Sequence, residues 1–106
     1  MPWYHYLSYF FGGAFFVNAV PHFVSGTMGQ PFQSPFAKPP GEGLSSSTVN
    51  VLWGALNFVI AWSLLGGLGD FDLRNPIHVL VAGSGGLVMA AILARSFGRF
   101  HGGNSV

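Results

Sequence analysis

Three observations predict an all-α integral membrane fold: three transmembrane helices with a long Gly/Pro-rich first connection. Three stretches, roughly residues 3–24, 48–68 and 76–94, contain no charged side chain. Each is about 20 residues long, enough for a helix to cross a hydrocarbon layer of ~30 Å. The charged residues Lys38, Glu42, Asp70, Asp72, Arg74, Arg95 and Arg99 all lie between or after these stretches. Charged residues make up 7% of the chain, against ~25% in soluble domains. A charge at the centre of a span costs ~2.5–3.5 kcal/mol on insertion scales, so a spanning sequence excludes it. The 106 residues hold one domain, 1–106.

The first span opens on Trp3, Tyr4, Tyr6, Tyr9, Phe10 and Phe11. Trp and Tyr favour the headgroup boundary, so this group is expected to anchor the helix there. Lys and Arg are absent before Lys38, whereas a secretory signal needs a basic n-region; the segment is therefore expected to be a retained helix. Ser8, Gly12 and Gly13 provide a small-residue step for another helix to approach. Pro21 removes a backbone donor near the far end and is expected to kink or loosen the last turn.

The first connection, about Ser25–Ser47, carries Gly26, Gly29, Pro31, Pro35, Pro39, Pro40, Gly41 and Gly43. It is too polar and too proline-broken to span. It also repeats Pro31-Phe32 and Pro35-Phe36. Disordered linkers are poor in aromatics, so Phe32 and Phe36 are expected to dock on the bundle, a partner or the membrane surface.

Ser45–Thr48 supply N-cap oxygens for the second span, which Gly66, Gly67 and Gly69 are expected to end. Pro76 suits the first position of the third helix. There Ala82, Gly86, Ala90 and Ala94 recur every four residues. Such a stripe lets two backbones approach closely, which is how membrane helices associate, so it is expected to pack against another helix.

Composition excludes several classes of function. A net charge of +1 supplies no basic stripe for nucleic acid. The absence of cysteine rules out disulfides, thiolate metal sites and cysteine nucleophiles. Ser45–Ser47 have no base with an orienting acid, and no carboxylate lies in a span, so hydrolysis and carboxylate-driven pumping are not expected. No metal site is expected either, since His and carboxylates form no short ligand cluster.

Two groups of polar residues remain. Asn18 and His22 lie four apart on the first span; Asn50, Trp53 and Asn57 share one face of the second. If the two faces meet they form a polar pocket beside Pro21. The pocket is either a small-molecule site or a set of hydrogen bonds that hold the helices and the long loop. His5 and His78 open the first and third spans at similar depth. Two imidazoles at one depth are candidate ligands for haem or a chlorophyll-type pigment. The competing reading is that they are interfacial polar side chains, because no carboxylate lies within the spans to orient the rings.

With Asn18–Phe23, Leu44–Gly54 and Gly98–Gly103 in hand, the chain resembles small, uncharacterised three-helix bacterial inner-membrane proteins. The resemblance covers most of the chain and implies no activity. In architecture alone the chain is also similar to bacterial three-helix half-transporters for sugars, which carry Pro-Gln or a close variant where this chain has Pro21-His22.

The sequence therefore leads to a non-enzymatic membrane protein working through helix contacts with itself or a larger complex. The alternatives are a minimal oligomeric transporter using the polar pocket, and a haem- or pigment-binding subunit. Lys38, Arg95 and Arg99 against Arg74 predict a bacterial cytoplasmic membrane topology with the N-terminus out and the C-terminus in.

Overall fold

The computed structural model describes residues 2–68 and 70–104. It contains helix α1 (Tyr4–Thr27), two short strands β1 (Phe32–Gln33) and β2 (Leu44–Ser45), helix α2 (Ser47–Trp62) continued by a π-turn (Ser63–Gly67), and helix α3 (Pro76–His101). All three helices are long and apolar enough to cross a membrane. The longest dimension, 42 Å, matches the ~40–45 Å of a bilayer with its headgroups.

Local chemistry sets the helix ends. The Ser46 hydroxyl accepts from the Val49 N–H at 3.2 Å and caps α2. The Asn75 side-chain oxygen, Oδ1, accepts from the Ile77 and His78 N–H groups at 2.9 and 3.4 Å, with Pro76 in the first turn of α3. At the other end of α3, Gly102 takes the left-handed conformation at φ 77°, which glycine adopts without a Cβ penalty. Helix α3 thus runs beyond the expected Ala94 and carries Arg95 and Arg99 in its last turns. A charge ends a lipid-buried segment but does not end a helix, and Arg is a good helix former. Pro21 lies inside one continuous α1, which extends to Thr27.

The second helix changes form at Ser63. The Leu68 N–H donates to the Ser63 carbonyl at 3.1 Å, one residue wider than in an α-helix. The Ser8 hydroxyl of α1 donates to the Leu64 carbonyl, so the widened turn keeps that carbonyl satisfied in an apolar setting. Gly66 and Gly67 fall in or at the end of this turn; Gly69, also expected at the helix end, lies outside the described residues.

Helix α1 is central. α2 packs on one side of it and α3 on the other, and α2 and α3 scarcely touch. Consecutive glycines in α1 make room for both neighbours. A Cβ on Gly12 would lie 2.7 Å from Leu65 Cγ, whereas one on Gly13 would fall on the Ala82 carbonyl. Further along, Gly26 faces the Ser47 carbonyl and Val51, and Gly54 of α2 faces the Phe23 backbone.

The small-residue stripe of α3 meets α1 of the same chain. Its closest approach lies at Ala82, Gly85 and Gly86. Ala90 is half-buried, and Ala94 is exposed. Beyond Gly86 an apolar cavity opens beside the two helices, lined by Val17, Val20 and Pro21 of α1, Ala90, Ala94 and Phe97 of α3, and Phe32 of the first connection. The aromatic group at the start of α1 is divided in the same way. Trp3 and Tyr4 are exposed, but Tyr9 is fully buried. Its ring packs against Phe71 at 5.2 Å and His78 at 4.7 Å.

Candidate functional site

The first connection folds back over the end of the bundle. Strands β1 and β2 pair antiparallel, Phe32 opposite Ser45 and Gln33 opposite Leu44. The Ser34 and Ser45 hydroxyls bond at 2.5 Å, and Ser34 Oγ also accepts from the Phe36 N–H at 3.1 Å. Phe32 stacks on His101 of α3 at 5.3 Å and meets Phe97 and His22 edge-on at 4.8 and 5.5 Å. His101 Nε2 lies 3.0 Å from Gln33 Oε1. Phe36 behaves differently from Phe32: it is 63% exposed, meets the edge of Trp53 at 5.2 Å and borders an apolar hollow with Val49, Leu52 and Leu56 of α2. Only one ring of the repeated Pro-Phe step enters the interior, because the strand pair ends at Gln33 and the chain turns outward at Pro35.

Beneath this cap the structure brings together all of Asn18, His22, Asn50, Trp53 and Asn57. Asn50 and Asn57 are fully buried, and His22 is 2% exposed. The Asn50 amide nitrogen faces the carbonyls of Phe32, Ser45 and Ser46 at 3.1, 3.2 and 3.1 Å. That nitrogen can only donate, so Asn50 Oδ1 is the atom turned to His22 Nδ1, 2.9 Å away. The network therefore assigns the Nδ1 proton to His22 and leaves Nε2 as an acceptor. One turn deeper, the Asn57 amide nitrogen donates to the Trp53 carbonyl at 2.8 Å, and Asn57 Oδ1 accepts from Asn18 Nδ2 at 2.9 Å.

A cavity of about 240 Å³ opens beside this cluster, lined by Asn18, His22, Gln33, Ser34, Trp53 and Phe97, with Pro35 and Gly41 at its loop side. Gln33, Ser34 and Phe97 are contributions that the sequence did not mark. The alternating burial of a two-residue strand is too short a pattern to read, and Phe97 lies past the last uncharged stretch. His101, four residues after Phe97, was the available clue, since the two share a face of one helix.

The histidines at the other end of the bundle have separate surroundings. His78 is nearly buried among Tyr6, Tyr9 and Phe71, and its Nδ1 accepts from the Asp72 N–H at 3.0 Å. His5 packs edge-on against Tyr4 at 5.1 Å, and its Nδ1 is buried without a partner among the described residues. Among the described residues, no group of three His, Cys, Asp or Glu is placed to hold a metal ion.

Comparison with protein families, with curated proteins and with solved structures finds no match for this chain.

Proposed function

We propose that this is a non-enzymatic, multi-pass protein of a bacterial cytoplasmic membrane that works through helix contacts, as a homo-oligomer or as a small accessory subunit of a larger complex. The open arrangement of its helices carries this reading. Because α2 and α3 flank α1 without closing on each other, an apolar groove of about 520 Å³ runs between Phe16, Val17, Leu65, Phe71, Gly86 and Leu87. A further helix that fills such a groove gains dispersion contacts that mobile lipid tails make less well. The positive residues Lys38, Arg95 and Arg99 favour N-terminus out and C-terminus in.

Native mass measurement in mild detergent tests the assembly. The expected result is a mass above one chain, from additional copies or a co-purifying membrane protein. A bare monomer retained in lipid nanodiscs overturns it. A reporter fused to the C-terminus is expected to be active only in a cytoplasm-specific assay, and periplasmic activity reverses the orientation.

A second reading, a minimal transporter of small molecules built from several copies, draws its support from the buried polar cluster of α1 and α2. Uptake into proteoliposomes, abolished by Asn57→Leu in a protein that keeps its helices, is its expected signature.

A further inference from the structure

The cavity beside His22 contains more hydrogen-bonding capacity than the protein itself uses. His22 Nδ1 is committed to Asn50, and Nε2 has no partner among the described residues. His22 Nε2 is also not among the fully sealed, partnerless atoms, although the residue is 2% exposed. Its remaining accessible surface therefore faces the cavity that it lines. Asn18 spends its amide nitrogen on Asn57 and keeps Oδ1 as an acceptor in the same wall. Gln33, 4% exposed, spends Oε1 on His101 and keeps its amide nitrogen as a donor. The Trp53 ring forms part of the same wall, with its indole N–H sealed beneath the surface and without an acceptor among the described residues.

Unpaired polar groups in an apolar surrounding cost ~1–3 kcal/mol each, so several facing one cavity are not explained by helix packing. The neighbouring groups Asn50, Asn57 and Ser34 each make at least two hydrogen bonds, so this part of the chain pairs its polar atoms within the protein where it can.

We propose that this cavity is a binding site for a small neutral polyhydroxylated molecule, a polyol of about three to six carbons. Hydroxyl groups are the chemistry that fits, since each both donates and accepts: the wall offers two acceptors, His22 Nε2 and Asn18 Oδ1, and one donor, the Gln33 amide nitrogen, with the sealed Trp53 N–H as a neighbouring reporter. The cavity has no charged side chain in its lining, so an ion would be buried there without a counter-charge. Its 240 Å³ lies below the ~300–1,000 Å³ of typical ligand pockets, which limits the ligand size. The cap of Ser34, Pro35 and Gly41 covers the site from the loop side. The site lies within one chain and does not depend on the assembly or transport readings.

The test uses the full chain in nanodiscs, free of glycerol, with glycerol and meso-erythritol as probes and butan-1-ol as the apolar control. Nitrogen NMR reads the Trp53 indole N–H, assigned with Trp53→Phe, and the His22 ring nitrogens. Saturable shifts of both signals with the polyols, and none with butan-1-ol, are expected. His22→Phe should abolish the shift of the Trp53 signal. Should that variant fail to fold, Gln33→Leu, which removes the loop-side donor together with the bond to His101, is expected to weaken binding about tenfold, one hydrogen bond's worth. No saturable shift with either polyol, an equal response to butan-1-ol, or shifts untouched by Gln33→Leu overturn the proposal and leave a cavity occupied by water only.

Discussion

Helix α1 meets α3 through glycine, alanine and aromatic rings, and it meets α2 through asparagine, histidine and serine as well as glycine. Across the α1–α3 contact no side-chain hydrogen bond joins the helices among the described residues, and a Cβ on Gly13 or Gly85 would fall on a backbone carbonyl of the opposite helix. Across the α1–α2 contact, Asn18–Asn57, His22–Asn50 and Ser8–Leu64 are bonded. For helices that cross a membrane, as proposed for this chain, the difference reflects what lipid permits. Lipid tails are as apolar as leucine, so burying leucine between helices gains little; close backbone contact does gain, through many dispersion contacts of ~0.1–0.2 kcal/mol each. That contact sets the separation of two helices. Hydrogen bonds averaging only ~0.6 kcal/mol add modest stability, but they are directional, and they set the register of α2 along with the position of the loop above it.

If this division is right, substitutions should separate the two interfaces. The largest effect is expected for Gly85→Leu, which places a branched side chain on the Phe10 carbonyl. Overpacking of a tight contact costs ~1–3 kcal/mol or more, and reversible unfolding in mixed micelles should show it. Leu87→Ala, at a position 72% exposed, should change little; equal losses from both would remove the case for close approach.

Asn57→Leu comes next. It leaves the Asn18 amide without its acceptor and the Trp53 carbonyl without its added donor, for an expected loss of ~1–2 kcal/mol in the same measurement. Cysteine cross-links between α1 and α3 should be unaffected by it, since that contact does not use these groups.

Asn50→Ala addresses the loop. It releases the carbonyls of Phe32, Ser45 and Ser46 together with His22. Faster hydrogen exchange over residues 29–45, with α3 unchanged, is the expected result, and uniform exchange along the chain would deny Asn50 this organising position. The smallest effect is expected for His101→Ala, which removes one stacked ring and one bond to Gln33. Exchange should rise at Phe32 and Gln33 alone, with a stability change of about 0.5–1 kcal/mol.

That Asn18 and His22 could face Asn50, Trp53 and Asn57 was legible because a helix repeats every 3.6 residues and polar groups in apolar surroundings have few places to go; the pairing of Asn18 with Asn57 and of His22 with Asn50 was not. The register that joins them was only a possibility in the sequence. Phe32 and Phe36 were indistinguishable there, yet one packs among His22, Phe97 and His101 while the other is largely exposed. Tyr9 read as one more interfacial aromatic, and it is fully buried against Phe71 and His78.

By itself the sequence determined the three helices, their approximate limits and the exclusion of charge from their centres. These follow from local hydropathy and from the length of each apolar segment alone, which is sufficient to cross a bilayer. The tertiary structure decided which neighbour each face of α1 receives. It directed Gly12 to the π-turn and Gly13 to Ala82, used the α3 stripe within the chain, and closed the first connection over His22. Those outcomes depend on how two helix surfaces fit at a given rotation and separation. Neither surface carries that information alone, because side-chain interlock is a property of the pair.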